Sequence, residues 1–294
     1  MAAGRETCTG MDGQETDVCC RQMPGRRKAL GDYIRHRELP AGKEESMTEH
    51  FASWSGGADS TATALLALEH GEPLTALVYC EVMFDAHTSG EVPEHADFIH
   101  GIAIPWFEEH GVRVEVLRSQ KTFMDVFWHQ IKKGLRAGKY QGFPSPGFCK
   151  VQDRCKTPPL DRFRRAHKGA VQYIGYAADE DERLLRLGGQ KISLLQKYGY
   201  TQKDARELCR KYGLLSPAYE FCKRGGCFFC PNASDNEFRH LRAHHRELWD
   251  KLLELQHVEN VAFPGRFRTD DNIIYMESRF DLEERQITWE DLGL

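Results

Sequence analysis

The chain predicts an α/β fold: a parallel sheet of about five strands with helices on both faces, followed by a helical, cysteine-rich C-terminal region. Three observations carry this expectation. Short apolar segments alternate with helix-forming ones from residue 47 onward, the pattern of a parallel sheet wound through crossover helices. A glycine turn, Ser55-Gly-Gly-Ala-Asp59-Ser60-Thr61, lies between the first strand and the first helix. After about residue 190 the strand-like segments stop, and Cys227-Phe-Phe-Cys230 stands between two helical patterns.

The elements follow in order. His50-Phe-Ala-Ser-Trp54 reads as a buried strand. Residues 61–69 are rich in good helix formers and break at Gly71. Residues 74–80 form a second buried strand. A helix over 94–109 must kink or restart at Pro105, which lacks an N–H and clashes with the preceding turn. A strand over 112–117, a helix over 122–133, a Gly- and Pro-containing loop over 134–147, a helix over 159–167 and a strand over 171–176 complete the alternation. Beyond it come a helix over 202–212, a cysteine-bearing knuckle over 225–232 and a long amphipathic helix over 236–256. Leu241, Leu248, Leu252 and Leu255 recur at helical spacing in that last helix and read as core. His240, His244 and His245 are spare metal-ligand candidates; on so charged a helix they read as solvent-facing.

Three regions result. Residues 1–46, polar and without apolar periodicity, read as a disordered leader; 47–190 form the α/β domain; 191–294 form the helical region with its metal knuckle. Met47, directly before the first strand, is a candidate start of translation, because Gly42-Lys-Glu-Glu45 can be encoded by a purine-rich ribosome-binding stretch. The net charge of −4 implies no bulk attraction to nucleic acid. Lys132, Lys133, Arg136, Lys139, Lys150, Arg154 and Lys156 cluster locally, as a basic surface or a solvated face. No stretch approaches the ~20 apolar residues of a membrane span, and the N-terminus lacks the apolar core of a signal peptide. Ten cysteines without such a signal point to reduced thiols in the cytoplasm, used for metal binding or catalysis.

Four motifs carry chemistry. A strand, glycine turn and helix present backbone N–H groups and the positive end of a helix dipole to an anion. Gly56 and Gly57 permit close approach and positive φ. Ser55, Ser60 and Thr61 offer hydroxyls, and Asp59 reads as the N-cap. The absence of a Gly-Lys-Ser/Thr ending excludes the Walker loop. The second motif, Tyr173-Ile-Gly-Tyr-Ala-Ala-Asp-Glu-Asp-Glu-Arg183, delivers charged groups to the same sheet edge. Arg183 suits phosphate or sulfate, while Asp179 and Glu180 suit Mg2+, a ribose hydroxyl or internal pairing with arginine. In the third, Cys149-Lys-Val-Gln-Asp-Arg-Cys155-Lys156, either cysteine is reactive if a neighbouring cation lowers its pKa, and inert if buried. The fourth joins Cys209, Cys222, Cys227 and Cys230, spaced by twelve, four and two residues. Four thiolates suit zinc or an iron–sulfur cluster, and spacing alone does not choose between them.

The glycine turn resembles the SGGxDS pyrophosphate loop of the N-type ATP pyrophosphatases and phosphoadenosine phosphosulfate (PAPS) reductases. Gly175, Glu180 and Arg183 fall on the Gly-Ile-Arg-x-x-Glu-x-x-Arg motif of those relatives, with Ala177 where an arginine often stands. The Cys149 to Pro159 segment resembles their Cys-x-x-x-x-Lys-x-x-Pro, with a longer spacing before Lys156. From Met47 to about residue 256 the chain thus resembles the PAPS reductase family within the adenine nucleotide α-hydrolase superfamily. The resemblance implies a Rossmann-like, HUP-type sheet. It implies an adenine nucleotide, ATP or PAPS, with its phosphates on Ser55, Gly56, Gly57, Ala58, Asp59, Ser60 and Thr61. The base would rest against the second strand near Val78, Tyr79 and Cys80, and Lys156 would contact the nucleotide or anion.

PAPS reductases act through a cysteine in a C-terminal Glu-Cys-Gly-x-His tail, whereas no cysteine follows Cys230 here. Adenylyl-sulfate reductases carry a Cys-Cys pair after the loop, whereas Cys19-Cys20 precedes it. The expected reaction is therefore cleavage of ATP at the α-phosphate with Mg2+, adenylating an acceptor for sulfur or nitrogen transfer, such as tRNA or DNA. Asp59, Lys156 and Arg183 are the expected catalytic residues. The cysteine site holds zinc or a 4Fe–4S cluster, and the family leaves room for a homodimer. Two alternatives stand beside this: PAPS or adenylyl-sulfate reduction through Cys149 or Cys155, and a non-catalytic nucleotide-sensing or nucleic-acid-binding module.

Overall fold

The computed structural model describes residues 48–144, 147, 149–223, 225–269 and 271–285. The leader expected over 1–46, Met47 and the tail beyond 285 lie outside them. β1 (His50–Trp54) leads through the glycine turn into α1 (Ala58–His70). The helix begins at Ala58, not at residue 61, with Gly57 as N-cap and no side-chain cap. Asp59 is thus not the cap; it lies in the first turn, where a carboxylate meets the positive end of the helix dipole. Gly71 closes the helix at φ 63°. β2 (Ala76–Glu81) is buried along its whole length.

The helix expected over 94–109 is three pieces: α2 (Pro93–Phe98), a π-helical stretch (Ile99–Ala103) and α3 (Ile104–Glu109). Pro105 offers no N–H to the turn before it, and the wider π turn accommodates its ring. β3 (Arg113–Arg118) follows. The helix expected over 122–133 shrinks to α4 (Phe123–Phe127), started by a Thr122–Asp125 capping box. It stops because the chain doubles back: Ile131 N–H donates to Lys139 O at 2.8 Å, and Trp128 packs edge-on against Tyr140. The exposed tip of this hairpin carries Lys132, Lys133 and Arg136.

A second π-helical stretch, Gln152–Lys156, runs into α5 (Thr157–Ala166), and β4 (Val171–Tyr173) is shorter than its apolar run. α6 (Asp181–Leu184), β5 (Lys191–Ile192) and α7 (Leu194–Lys197) follow. α8 (Gln202–Tyr212) spans the residues its sequence predicts, capped by Thr201 and Asp204. The single helix expected over 236–256 is two, α9 (Asp235–His244) and α10 (Arg246–Gln256), broken at His245 with φ −134° and ψ 57°. α11 (Ile273–Arg285) ends the described chain.

The five strands are parallel in the order β3-β2-β1-β4-β5. The chain winds outward from β1 first to one side and then to the other, so the topological switch point lies between β1 and β4. One core joins Trp54, Leu65, Leu66, Phe107, Leu208 and Cys209 across α1, α3 and α8. On the opposite face α5 packs Leu160 and Phe163 against Phe51 and Val78. A second, aromatic-rich core holds Phe84, Phe123, Phe229, Phe238, Trp249 and Phe280, together with Leu241, Leu248, Leu252 and Leu255 of the predicted stripe. Among the described residues no helix is long and apolar enough to cross a membrane.

Candidate functional site

The glycine turn leaves the carboxyl end of β1 at the switch point, where open α/β sheets place their ligands. Gly56 has φ 71°, and a Cβ there would lie 2.6 Å from Ile99 Cγ1, so the position requires glycine on both counts. Thr61 N–H donates to Gly57 O at 2.9 Å as the first helical bond. The N–H groups of Gly57, Ala58, Asp59 and Ser60 therefore have no acceptor within the helix. Ala58 donates its own to Tyr219 Oη at 2.8 Å. Ser55 N–H donates to Ser60 Oγ at 3.1 Å, and that hydroxyl donates to Gly57 O at 3.0 Å. Thr61, expected to offer its hydroxyl to phosphate, is fully buried and accepts from Trp54 Nε1 at 3.0 Å. Ala58 and Thr61 thus hold the loop's shape, and Gly57, Asp59 and Ser60 carry the remaining amides without a partner inside the helix.

Gly175 explains how the second motif reaches this loop. A Cβ on it would lie 2.8 Å from both Asp59 C and Ser60 N, so only glycine lets the end of β4 rest on the first turn of α1. Beyond it, Glu180 turns inward: Oε2 accepts from Ala177 N–H at 3.0 Å and Oε1 from Arg183 Nη1 at 2.6 Å. Of its expected roles Glu180 fills the internal pairing, with both oxygens committed. Arg183 stacks over the Tyr176 ring and remains half exposed, and Asp179 accepts from Gln202 N–H at 3.1 Å. Asp59 is pushed up to about 6 by burial and by the charge of Glu180, with a smaller push from Asp179; Arg183 and Arg206 pull the other way. Loop and turn are one electrostatic unit.

Tyr79 and Lys156 stand apart from that unit. Tyr79 is 1% exposed, packed edge-on against Trp54, so its ring offers no surface to an adenine. Its Oη is buried without a hydrogen-bond partner, and burial together with Glu91, Glu81 and the Cys227 and Cys80 thiols raises its pKa. Lys156 lies in the field of thiols: its charge opposes the burial that pushes Cys80 up to about 11 and raises Cys227.

The four cysteines expected to share a metal are not gathered. Cys209 belongs to the α8 core and donates its thiol to Ala58 O at 3.3 Å; burial pushes it up to about 12. Cys222 faces Glu237 and Glu94 and is likewise pushed up to about 12, by burial first. Cys227 instead has Cys230 and Cys149 as its thiol neighbours, with Glu91 and Lys156 nearby. Cys149 is partly exposed, and Gln152 N–H donates to its sulfur at 3.3 Å. Cys155 is buried, donates to Thr122 O at 3.5 Å and is pushed up to about 11 by burial, the inert one of the two expected thiols.

Several positioning residues have no motif in the sequence. His95 Nε2–H donates to Ser55 O at 3.0 Å, and Nδ1 lies 2.8 Å from Ser216 Oγ. Tyr219 holds Ala58, and Arg206 stacks over Tyr219 while donating to Lys223 O at 3.2 Å. One trace was legible: a Cβ on Gly225 would lie 2.7 Å from His95 Nε2, so the Gly-Gly pair before Cys227 lets the knuckle cross over His95.

No family model matches the chain. An uncharacterized protein of Methanocaldococcus jannaschii is 22% identical over 244 residues, 78% of this chain and 52% of that protein. The chain spans about half the length of this curated relative. Among solved structures it is similar to the U34-tRNA thiolase NcsA from Methanococcus maripaludis with its 4Fe–4S cluster. That likeness has a TM-score of 0.39 and 15% identity, covering 86% of this chain and 87% of the other.

Proposed function

We propose that the chain is an ATP-using enzyme of the N-type ATP pyrophosphatase kind that adenylates an acceptor on a nucleic acid, for sulfur transfer. The observation that carries this is the convergence at the switch point of free-facing loop amides with Asp59, Arg183 and Arg206. Backbone donors at a helix N-terminus suit a pyrophosphate leaving group. An acceptor oxygen attacks the α-phosphorus, the bond from that phosphorus to the bridging oxygen breaks, and pyrophosphate leaves as the acceptor–AMP ester forms. Arg183 and Arg206 stabilise charge building on the leaving group. A sulfur nucleophile then displaces AMP.

The residues suit a nucleotide that brings its own Mg2+. Among the described residues Asp59, Asp179 and Glu180 are not gathered into a three-carboxylate cation site, and Asp59 is a poorly stabilised carboxylate that gains from a cation. For the cysteines, the set fitted to a cofactor is Cys149, Cys227 and Cys230. A tetrahedral zinc holds its sulfurs ~2.3 Å from the metal, hence close together, and these three are not within 4.8 Å of one another. An iron–sulfur cluster spaces its thiolates more widely, and it would supply a site for the sulfur donor. The basic hairpin tip with Lys132, Lys133 and Arg136 favours a nucleic-acid acceptor.

The test uses anaerobically purified full chain with α-labelled ATP, Mg2+ and bulk tRNA. Expected are AMP and pyrophosphate release that require the RNA, absorbance near ~400 nm, and loss of about 100-fold in kcat/KM for Arg183→Ala. Sulfite release from PAPS with thioredoxin would overturn the proposal in favour of reduction, and ATP binding without turnover on RNA or DNA in favour of sensing.

A further inference from the structure

The reading of His240 and His245 as solvent-facing does not hold. His240 Nε2 lies 2.6 Å and His245 Nε2 2.8 Å from Glu94 Oε1, and the three ligand atoms lie within 4.8 Å of one another. Both rings are about four-fifths buried. In a continuous helix residues 240 and 245 would point about 140° apart, at roughly 100° per residue. The break between α9 and α10 falls on His245 itself and swings its ring onto the carboxylate that His240 already meets. His240 is fixed further by stacking on Phe221 at 3.5 Å and on His244 at 4.2 Å.

Glu94 Oε2 is the telling atom. It is buried and has no hydrogen-bond partner, although both imidazoles crowd the other oxygen of the same carboxylate. Buried carboxylate oxygens are costly to leave unmatched. The Cys222 thiol lies in the field of this carboxylate and of Glu237. We infer that Glu94, His240 and His245 form a zinc site separate from the Cys149–Cys227–Cys230 group. Two imidazoles and a carboxylate, with water in the fourth position, are a donor set that zinc accepts in tetrahedral form. The site joins α2 to the α9–α10 corner, and Glu94 is the immediate neighbour of His95, which holds the phosphate loop at Ser55 O. Zinc here tethers the C-terminal helices to the loop's support, a role independent of the reaction proposed above.

The test compares zinc bound by the EDTA-stripped full chain with that bound by Glu94→Gln, His245→Gln and the exposed control His257→Gln, by equilibrium dialysis against ZnCl2. Wild type and H257Q are expected to hold one equivalent more than E94Q or H245Q, whose remaining affinity at this site falls on the order of 100-fold. The same difference is expected in a Cys227→Ser/Cys230→Ser background, which separates this metal from any held by the knuckle. Zinc should raise the melting temperature of wild type and leave that of E94Q unchanged. E94Q keeps the shape of the glutamate, so its circular dichroism and metal-free melting temperature report whether it folds. Equal stoichiometry in wild type, E94Q and H245Q, or wild-type binding weaker than micromolar, would overturn the site and leave a metal-free His–Glu–His hydrogen-bond group.

Discussion

Asp59→Asn isolates the electrostatic strain at the switch point. In the folded protein this carboxyl titrates near 6, against an ordinary value of 3.8, because it is partly buried and faces Glu180. At neutral pH the chain therefore folds with a carboxylate it would hold more cheaply as the neutral acid. The difference corresponds to about 3 kcal/mol, and partial exposure reduces it by screening to about 1–2 kcal/mol. Asparagine keeps the shape and removes the charge. In urea unfolding at pH 7.5, D59N should be the more stable protein by about 1–2 kcal/mol, a midpoint shift of about 0.5 M. The sign follows from linkage. Between 3.8 and 6 the folded wild type binds more protons than the unfolded chain, so its stability rises as pH falls through that window and levels below it. D59N lacks this rise, and its advantage should vanish by about pH 4. On the role proposed for Asp59 toward the Mg2+ of the nucleotide, ATP binding should weaken in the same variant. A midpoint at pH 7.5 that is unchanged or lower, or a gain that persists undiminished at pH 4, would refute the assignment of strain to Asp59.

Further predictions follow from the contacts. Gly175→Ala drives a methyl against the backbone of Asp59 and Ser60; a loss of about 1–3 kcal/mol in thermal unfolding and of ATP binding by calorimetry is expected. Tyr219→Phe removes the acceptor of Ala58 N–H, which should cost about 1–2 kcal/mol and speed hydrogen exchange at that amide. Arg242→Ala takes a 9% exposed guanidinium away from Glu277, Asp281 and Glu284; about 2–3 kcal/mol of stability should go, measured by urea unfolding.

The sheet was legible because a buried parallel strand is a local signal: an apolar run ended by a turn, as at His50–Trp54 and Ala76–Glu81. The loop was legible because Gly56 and Gly175 answer needs of the backbone itself. Helix lengths were less so. Nothing in Trp128 or Lys133 announces the pairing with Tyr140 that ends α4, and the charge-rich run 236–256 hides the break at His245. The metal-ligand reading failed for a related reason. Spacing grouped Cys209 with Cys222, Cys227 and Cys230, but α8 packs against α1 and buries Cys209 beneath the loop, while Cys149, far along the chain, lies in the field of Cys227. His95, Tyr219 and Arg206 were invisible because each acts through a contact more than 100 residues away or through a stack that leaves no periodicity.

The segment Ser216–Tyr219 limits how modular this fold is. A fragment ending at Tyr212 would contain all five strands but lose the part of the aromatic core supplied by Phe229, Phe238, Trp249 and Phe280. It would lack the hydroxyl that Ala58 N–H meets and the serine that orients His95. The glycine loop is therefore not a cassette that can be grafted with its sheet. Its shape is set by His95 before the sheet's last strand and by Ser216 and Tyr219 after it, so replacing the segment beyond Tyr212 with a foreign one would remove contacts that hold the loop.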